Sequence, residues 1–174
     1  MRMLAGVLCC ALVGPAAAQT AEPNDASLVP IHQFLESFNK GDLAAAKAAH
    51  AADVSIQDEV PPYVWRGAGA FDAWAADLDT ASKTTGMTDM GVVLGKPDRV
   101  EVTGDDAYVV MPATLNFRQK GKPMAGPARM TFSLHQEAGN WKIRAWSWAG
   151  EAPHPVAAGS RAKAPKPATA PAAK

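Results

Sequence analysis

Cysteine is almost missing from this chain. Its only two, Cys9 and Cys10, stand side by side inside the first apolar run. With that run set aside, no thiolate nucleophile, thiolate metal site or disulfide can form. Net charge is missing too, with 17 basic side chains against 17 acidic ones, so the overall balance offers nothing to nucleic acid. No phosphate loop, nucleophile elbow or dinucleotide fingerprint occurs. His32, His50 and His135 are too scattered for metal-ligand spacing. No cofactor is therefore expected. There is no internal repeat, and the one apolar run, Leu4 to Val13, is too short to span a bilayer unaided.

What is present describes one domain with unlike ends. The 174 residues, 48% hydrophobic and 20% charged, suffice for a single globular core. The opening "MRMLAGVLCCALVGPAAAQ" has a basic start at Arg2, the apolar run, and small residues before Gln19. That is the layout of a secretory signal peptide, residues 1–18, and predicts a periplasmic or secreted protein. Residues 19–27 form a lead, and the folded body is predicted over 28–150. Residues 151–174, rich in Ala, Pro and Lys, cannot bury enough apolar surface to offset their ordering entropy, and are predicted to stay extended. Arg161, Lys163, Lys166 and Lys174 give the tail +4, while residues 19–155 carry 12 basic and 17 acidic side chains, net −5. The neutral total hides an acidic body with a basic tail, read either as a solubilising segment or as a contact for anionic envelope surface.

Within the body, "LVPIHQFLESFN" places Ile31, Phe34, Leu35 and Phe38 on one helical face. "NKGD" stops this helix at Gly41 and caps a short Ala-rich second one at Asp42. "VSIQDE" alternates as a strand, "PP" turns it, and "YVWR" returns. "GAGAFDAWAADLDTASK" is helical again, with Phe71, Trp74 and Leu78 on one face. Strands then fill the rest, with "GKPD", "GDD", "KGKP" and "AGN" as interruptions. The expected fold is α+β, a cone-like bent antiparallel sheet with three helices of the N-terminal half packed on one face.

Alternation assigns the faces. Met130, Phe132 and Leu134 turn inward, as do Trp141, Ile143 and Ala145. Trp146 and Trp148 then fall on the outer face, where a bare indole pair marks a protein contact. A homodimer through that face is predicted; a bulge near Ala145 would instead turn one tryptophan inward. In the first strand, Val54 and Ile56 face inward and period two puts Asp58 with them. A carboxylate on an apolar face is a candidate polar anchor or general base, its pKa raised by burial. The plainer alternative is a strand-end acid accepting backbone N–H bonds near the Pro61-Pro62 turn.

The order of elements, together with "FNKGDLAAAKAAHAADVSIQDE", resembles the nuclear transport factor 2-like superfamily, which includes ketosteroid isomerases and SnoaL-like cyclases. The resemblance covers about residues 28–150 and implies a cone-shaped pocket. Carried across without a gap from Asn39, the isomerase's proton-shuttling aspartate falls on Asp58. The two hydrogen-bond donors of its oxyanion site fall on Phe34 and Met130, neither of which can donate. Loss of such donors costs about 100- to 1000-fold each in comparable sites, which argues against steroid isomerisation.

Three readings follow. The first is an apolar small-molecule binder with Phe34, Ile56, Asp58, Trp65 and Met130 lining the cone and Asp58 as the polar anchor. The second is an isomerase, cyclase or dehydratase with Asp58 as base. The third is a non-catalytic dimeric module whose cone is filled by Phe34, Trp65 and Met130. Tyr63 and Trp65 are placed at the mouth. His32 and His50 read as partners for a pocket acid, or as helix-edge histidines that are solvated or hold a carbonyl. His135 reads as surface, and Arg129 as an anion clamp or an outward salt bridge.

Overall fold

Residues Asn39 to Leu43 fasten three parts of the molecule together. Gly41 stands at φ +74, a left-handed turn that ends the first helix, α1, Asp25–Asn39. The Asp42 carboxylate then accepts the Ala45 N–H at 3.0 Å and starts α2, Leu43–Ala48. Asn39 turns back toward β3, Met87–Leu94. Its amide donates to the Val92 carbonyl at 2.8 Å and accepts the Val92 N–H at 2.7 Å. The end of α1 is thereby bonded to a strand 53 residues away.

The computed structural model describes residues 25–156. After α2 come β1 (His50–Gln57), β2 (Val64–Arg66), α3 (Ala70–Thr85), β3, β4 (Arg99–Thr103), β5 (Asp106–Gln119), β6 (Lys122–Glu137), β7 (Asn140–Gly150) and β8 (His154–Pro155). All eight strands join one sheet, in the order β2-β1-β7-β6-β5-β3, with β4 also on β5 and β8 on β6. The interrupted strand expected around "GKPD" is β3 and β4, both antiparallel to β5. One expectation needs correcting: β1 pairs with β7 in parallel, so the sheet is mixed. The chain leaves the first hairpin through α3 and returns along the meander, which brings β7 in beside β1 with the same direction.

The helices cover one face of the sheet, and the core lies between them. Val109, Met111, Phe132, Leu134 and Ile143 from the sheet meet Ile31, Phe34, Phe71 and Trp74 from the helices, all buried. Period-two alternation in the strands and the 3.6-residue period in α1 and α3 account for this set.

The tryptophan pair is the second correction. Ser133 pairs with Ala145 and Leu134 with Ile143, which leaves Arg144 as an extra residue in β7. This bulge reverses the parity of the strand. Ile143 faces inward before it, and Trp146 and Trp148 face inward after it. Trp146 is 4% exposed and Trp148 packs against the core. The outer indole surface expected to carry a homodimer does not exist.

At the ends, α1 begins at Asp25 rather than Leu28. Residues 151–156 do not belong to a loose tail: the Glu151 N–H bonds Pro127 O at 2.8 Å, and β8 pairs with Met124 and Ala125. The proposed leader, the remainder of the lead (19–24) and the basic tail from residue 157 lie outside the described residues. Within those residues no helix is long and apolar enough to cross a membrane.

Candidate functional site

A cavity of about 370 Å³ opens between α1, α3 and the inner face of the sheet, a volume at the small end of those that hold organic ligands. Phe34, Leu35 and Phe38 enter from α1, and Trp74, Leu78 and Ala81 from successive turns of α3. Val92, Leu115, Met130 and Trp146 supply the sheet side. The room exists because α3 presents Ala81 and Ser82 here rather than larger side chains.

The inner end is a knot of rings. Trp146 stands 5.1 Å from Trp74 at 86°, edge to face, and 5.5 Å from Phe34. Such pairs each add about 0.5–1.5 kcal/mol beyond area burial. Behind them His50 is buried, with Nδ1 2.9 Å from the Ala46 carbonyl and Nε2 3.1 Å from the Trp146 indole nitrogen. An indole N–H only donates, so Nε2 accepts and the proton sits on Nδ1, donating to Ala46. Burial lowers the pKa of His50 to about 4, aided by the Lys142 charge and opposed by the backbone bonds at Ala46 and Lys47. His50 is a neutral structural group that holds a helix-end carbonyl and orients Trp146. It is not solvated and has no pocket acid as partner.

Two carboxyls also stand in the wall. Asp58 follows β1 and is half-buried in the cavity wall. The Trp74 indole N–H donates to its Oδ2 at 2.7 Å, and the Glu59 backbone N–H to its Oδ1 at 2.7 Å. Its own N–H bonds the Tyr63 carbonyl at 3.1 Å, which closes the loop through Pro61 and Pro62. Inward placement and local capping, offered as alternatives by the sequence, hold together. Burial pushes the Asp58 carboxyl above its ordinary pKa, against the pull of these two donors. Glu59 stands at the rim with a largely exposed side chain, and the Trp148 indole N–H donates to its carboxylate. Its pKa is raised by burial and by the Asp58 charge. Gly150 makes this bond possible, since a Cβ there would lie 2.5 Å from Glu59 Oε2 and 2.6 Å from Trp148 Nε1.

Of the residues expected to line the cone, Phe34, Asp58 and Met130 do so. Ile56 and Trp65 do not. Ile56 is fully buried in the core one residue pair below, beside Trp146. Trp65 is buried in the core cluster, where its indole N–H donates to Asp77 of α3 at 2.8 Å. Tyr63 is 55% exposed and stands outside the wall. His135 pairs with Asp106 at 2.8 Å, and Arg129 with Asp98, both toward solvent. Sequence reasoning missed Glu59, Trp74 and Trp148 as wall residues. The signal for Trp74 lay in α3, whose apolar face was read only as core. Among the described residues no three His, Cys, Asp or Glu side chains converge to hold a metal ion.

A family model described as the SnoaL-like domain matches residues 30–147. Comparison with proteins of curated function gives no match. Among solved structures, a ketosteroid isomerase-like protein from Erwinia carotovora atroseptica is 18% identical with TM-score 0.57, covering 75% of this chain and 98% of its own. An NTF2-like protein with a cystatin-like fold from Novosphingobium aromaticivorans is 15% identical, with TM-score 0.60 and coverages of 74% and 81%. The CaMKII hub of S. rosetta is 22% identical, with TM-score 0.59 and coverages of 75% and 98%. At such identities the likeness concerns the fold.

Proposed function

The chain belongs to the SnoaL-like domain family, and on that premise we propose that it binds a small, mostly apolar molecule in the cavity, with Asp58 as the polar anchor. The carrying observation is an open, aromatic-walled cavity of about 370 Å³ with a carboxyl raised by burial in its wall. A cone plugged by Phe34 and Met130 would leave no such space, so the filled-module reading loses its basis. The leader-like layout of residues 1–18 supports export as part of the same proposal.

An enzyme with Asp58 as base is the second reading. It is favoured by the raised pKa, which suits a carboxylate to proton abstraction. Against it stands the electrophile side. Phe34 and Met130, onto which the resemblance carries the donor positions, line the cavity and cannot donate, and the indole N–H groups of Trp74 and Trp148 are spent on the two carboxylates. Among the described residues no tyrosine or histidine stands in the cavity wall. Binding is therefore the function supported best.

The test is titration with an environment-sensitive apolar dye in wild type and in Ala81→Phe, which places a ring in the cavity. Saturable binding in the wild type and its loss in the variant are expected. Undiminished binding by a folded Ala81→Phe protein would overturn the assignment.

A further inference from the structure

We propose that the ligand of this cavity carries a positive charge: an apolar body ending in a protonated amine or quaternary ammonium group that seats against Asp58 and Glu59. The proposal rests on the binding reading above and narrows it to a class. Every charged side chain in the wall is acidic. Asp58 and Glu59 line the cavity, and among the described residues no Lys, Arg or His does. His50 lies behind Trp146, and its Nε2 is already taken by that indole.

The two carboxyls are adjacent in sequence, and each is held by a tryptophan, Asp58 by Trp74 and Glu59 by Trp148. These bonds fix the carboxylates without neutralising them, since an indole N–H carries no formal charge. The two carboxyls thus stand side by side next to apolar surface: burial raises the pKa of both, and at Glu59 the Asp58 charge adds to it. An entering cation relieves that repulsion and gains charge-assisted hydrogen bonds. An aromatic face attracts a cation and repels a carboxylate, and Phe34, Trp74, Trp146 and Trp148 all line the cavity with the pair. A neutral ligand leaves the pair uncompensated, and an anion meets a third like charge with no donor free to receive it. Apolar length fits the remainder, which is walled by Leu78, Val92 and Leu115.

Three probes with one apolar body separate the classes: phenylbutylamine, phenylbutanol and phenylbutanoate, titrated at neutral pH by quenching of tryptophan emission. The amine is expected to bind about 10-fold or more tighter than the alcohol, and the carboxylate weakest. In the double variant Asp58→Asn, Glu59→Gln the amine should lose its advantage over the alcohol, with an unchanged near-UV circular dichroism spectrum showing that the fold is intact. Acidification in the wild type should weaken the amine and leave the alcohol unchanged, because protonated carboxyls no longer attract the cation. Equal or tighter binding of the alcohol or the carboxylate overturns the charge assignment and leaves a neutral-ligand binder standing. An amine preference that survives in the double variant also overturns it. Absence of saturable binding by all three probes overturns the charge assignment together with the binding function.

Discussion

Acidification should destabilise this protein through one ring, His50. Its pKa of 6.5 in the unfolded chain drops to about 4 in the folded one. Between those values the unfolded chain takes up a proton that the folded chain refuses, so stability is full above about pH 6.5 and falls as pH drops toward about 4. At 1.36 kcal/mol for each pH unit of that gap, the loss approaches about 3 kcal/mol. Protonation would also break the site chemically, because Nε2 would become a donor facing the Trp146 indole N–H 3.1 Å away. Asp58 and Glu59 act with the opposite sign: their raised pKa values add stability as pH falls through them. The raw pH profile is therefore a mixture, and a difference measurement isolates the ring. His50→Gln keeps an amide able to donate to Ala46 and accept from Trp146, but it does not titrate. Urea unfolding of both proteins from about pH 7 to about pH 4 should show wild type losing about 3 kcal/mol relative to the variant. A difference that stays constant across that range would refute the buried-neutral assignment of His50.

Other outcomes follow from the same geometry. Asn39→Ala removes both bonds to Val92 and leaves that strand's N–H and carbonyl unpaired, and should cost about 1–3 kcal/mol in chemical denaturation. Asp58→Asn sets an amide NH2 against one of the two N–H groups that the carboxylate accepts and should cost about 1–3 kcal/mol in urea unfolding at neutral pH. The double variant Trp146→Ala, Trp148→Ala should leave the mass in solution unchanged while lowering stability by about 3–5 kcal/mol for Trp146 alone. A mass that drops would restore the outer-face dimer. Gly150→Ala should push the Glu59 carboxylate and the Trp148 indole apart, weakening amine binding at unchanged fold, as read by tryptophan titration.

The helical faces and the inward sets of β1 and β6 were legible because each follows a single uninterrupted period. Asp58 was legible for the same reason: it lies two residues beyond Ile56, on the part of β1 that alternates from Val54 onward, past the register shift between His50 and Ser55. The parallel pairing of β1 with β7 was not, since nothing local distinguishes a strand that will meet a distant partner in that direction. Strict alternation carried Trp146 and Trp148 outward because it assumes one residue per step, and the extra residue at Arg144 has no signature of its own. Trp65 was misplaced for another reason. Its strand is three residues long, too short for alternation to tell cavity from flank, and the Asp77 partner that draws the indole away lies 12 residues on. Alternation puts Glu59 on the face opposite Asp58, and its side chain is exposed; its bond to Trp148 depends on a tertiary approach over Gly150.

The spare residue in β7 writes two messages on one ribbon. Upstream of Arg144 the odd-numbered side chains pack the interior, and downstream the even-numbered ones line the cavity. Substitutions that retune the chamber therefore fall on the opposite reading frame from those that hold the body together at Ile143. Excising that one residue would put the strand back in step and turn both indoles out into water, stripping two rings from the cavity wall and leaving an apolar patch on the outer face.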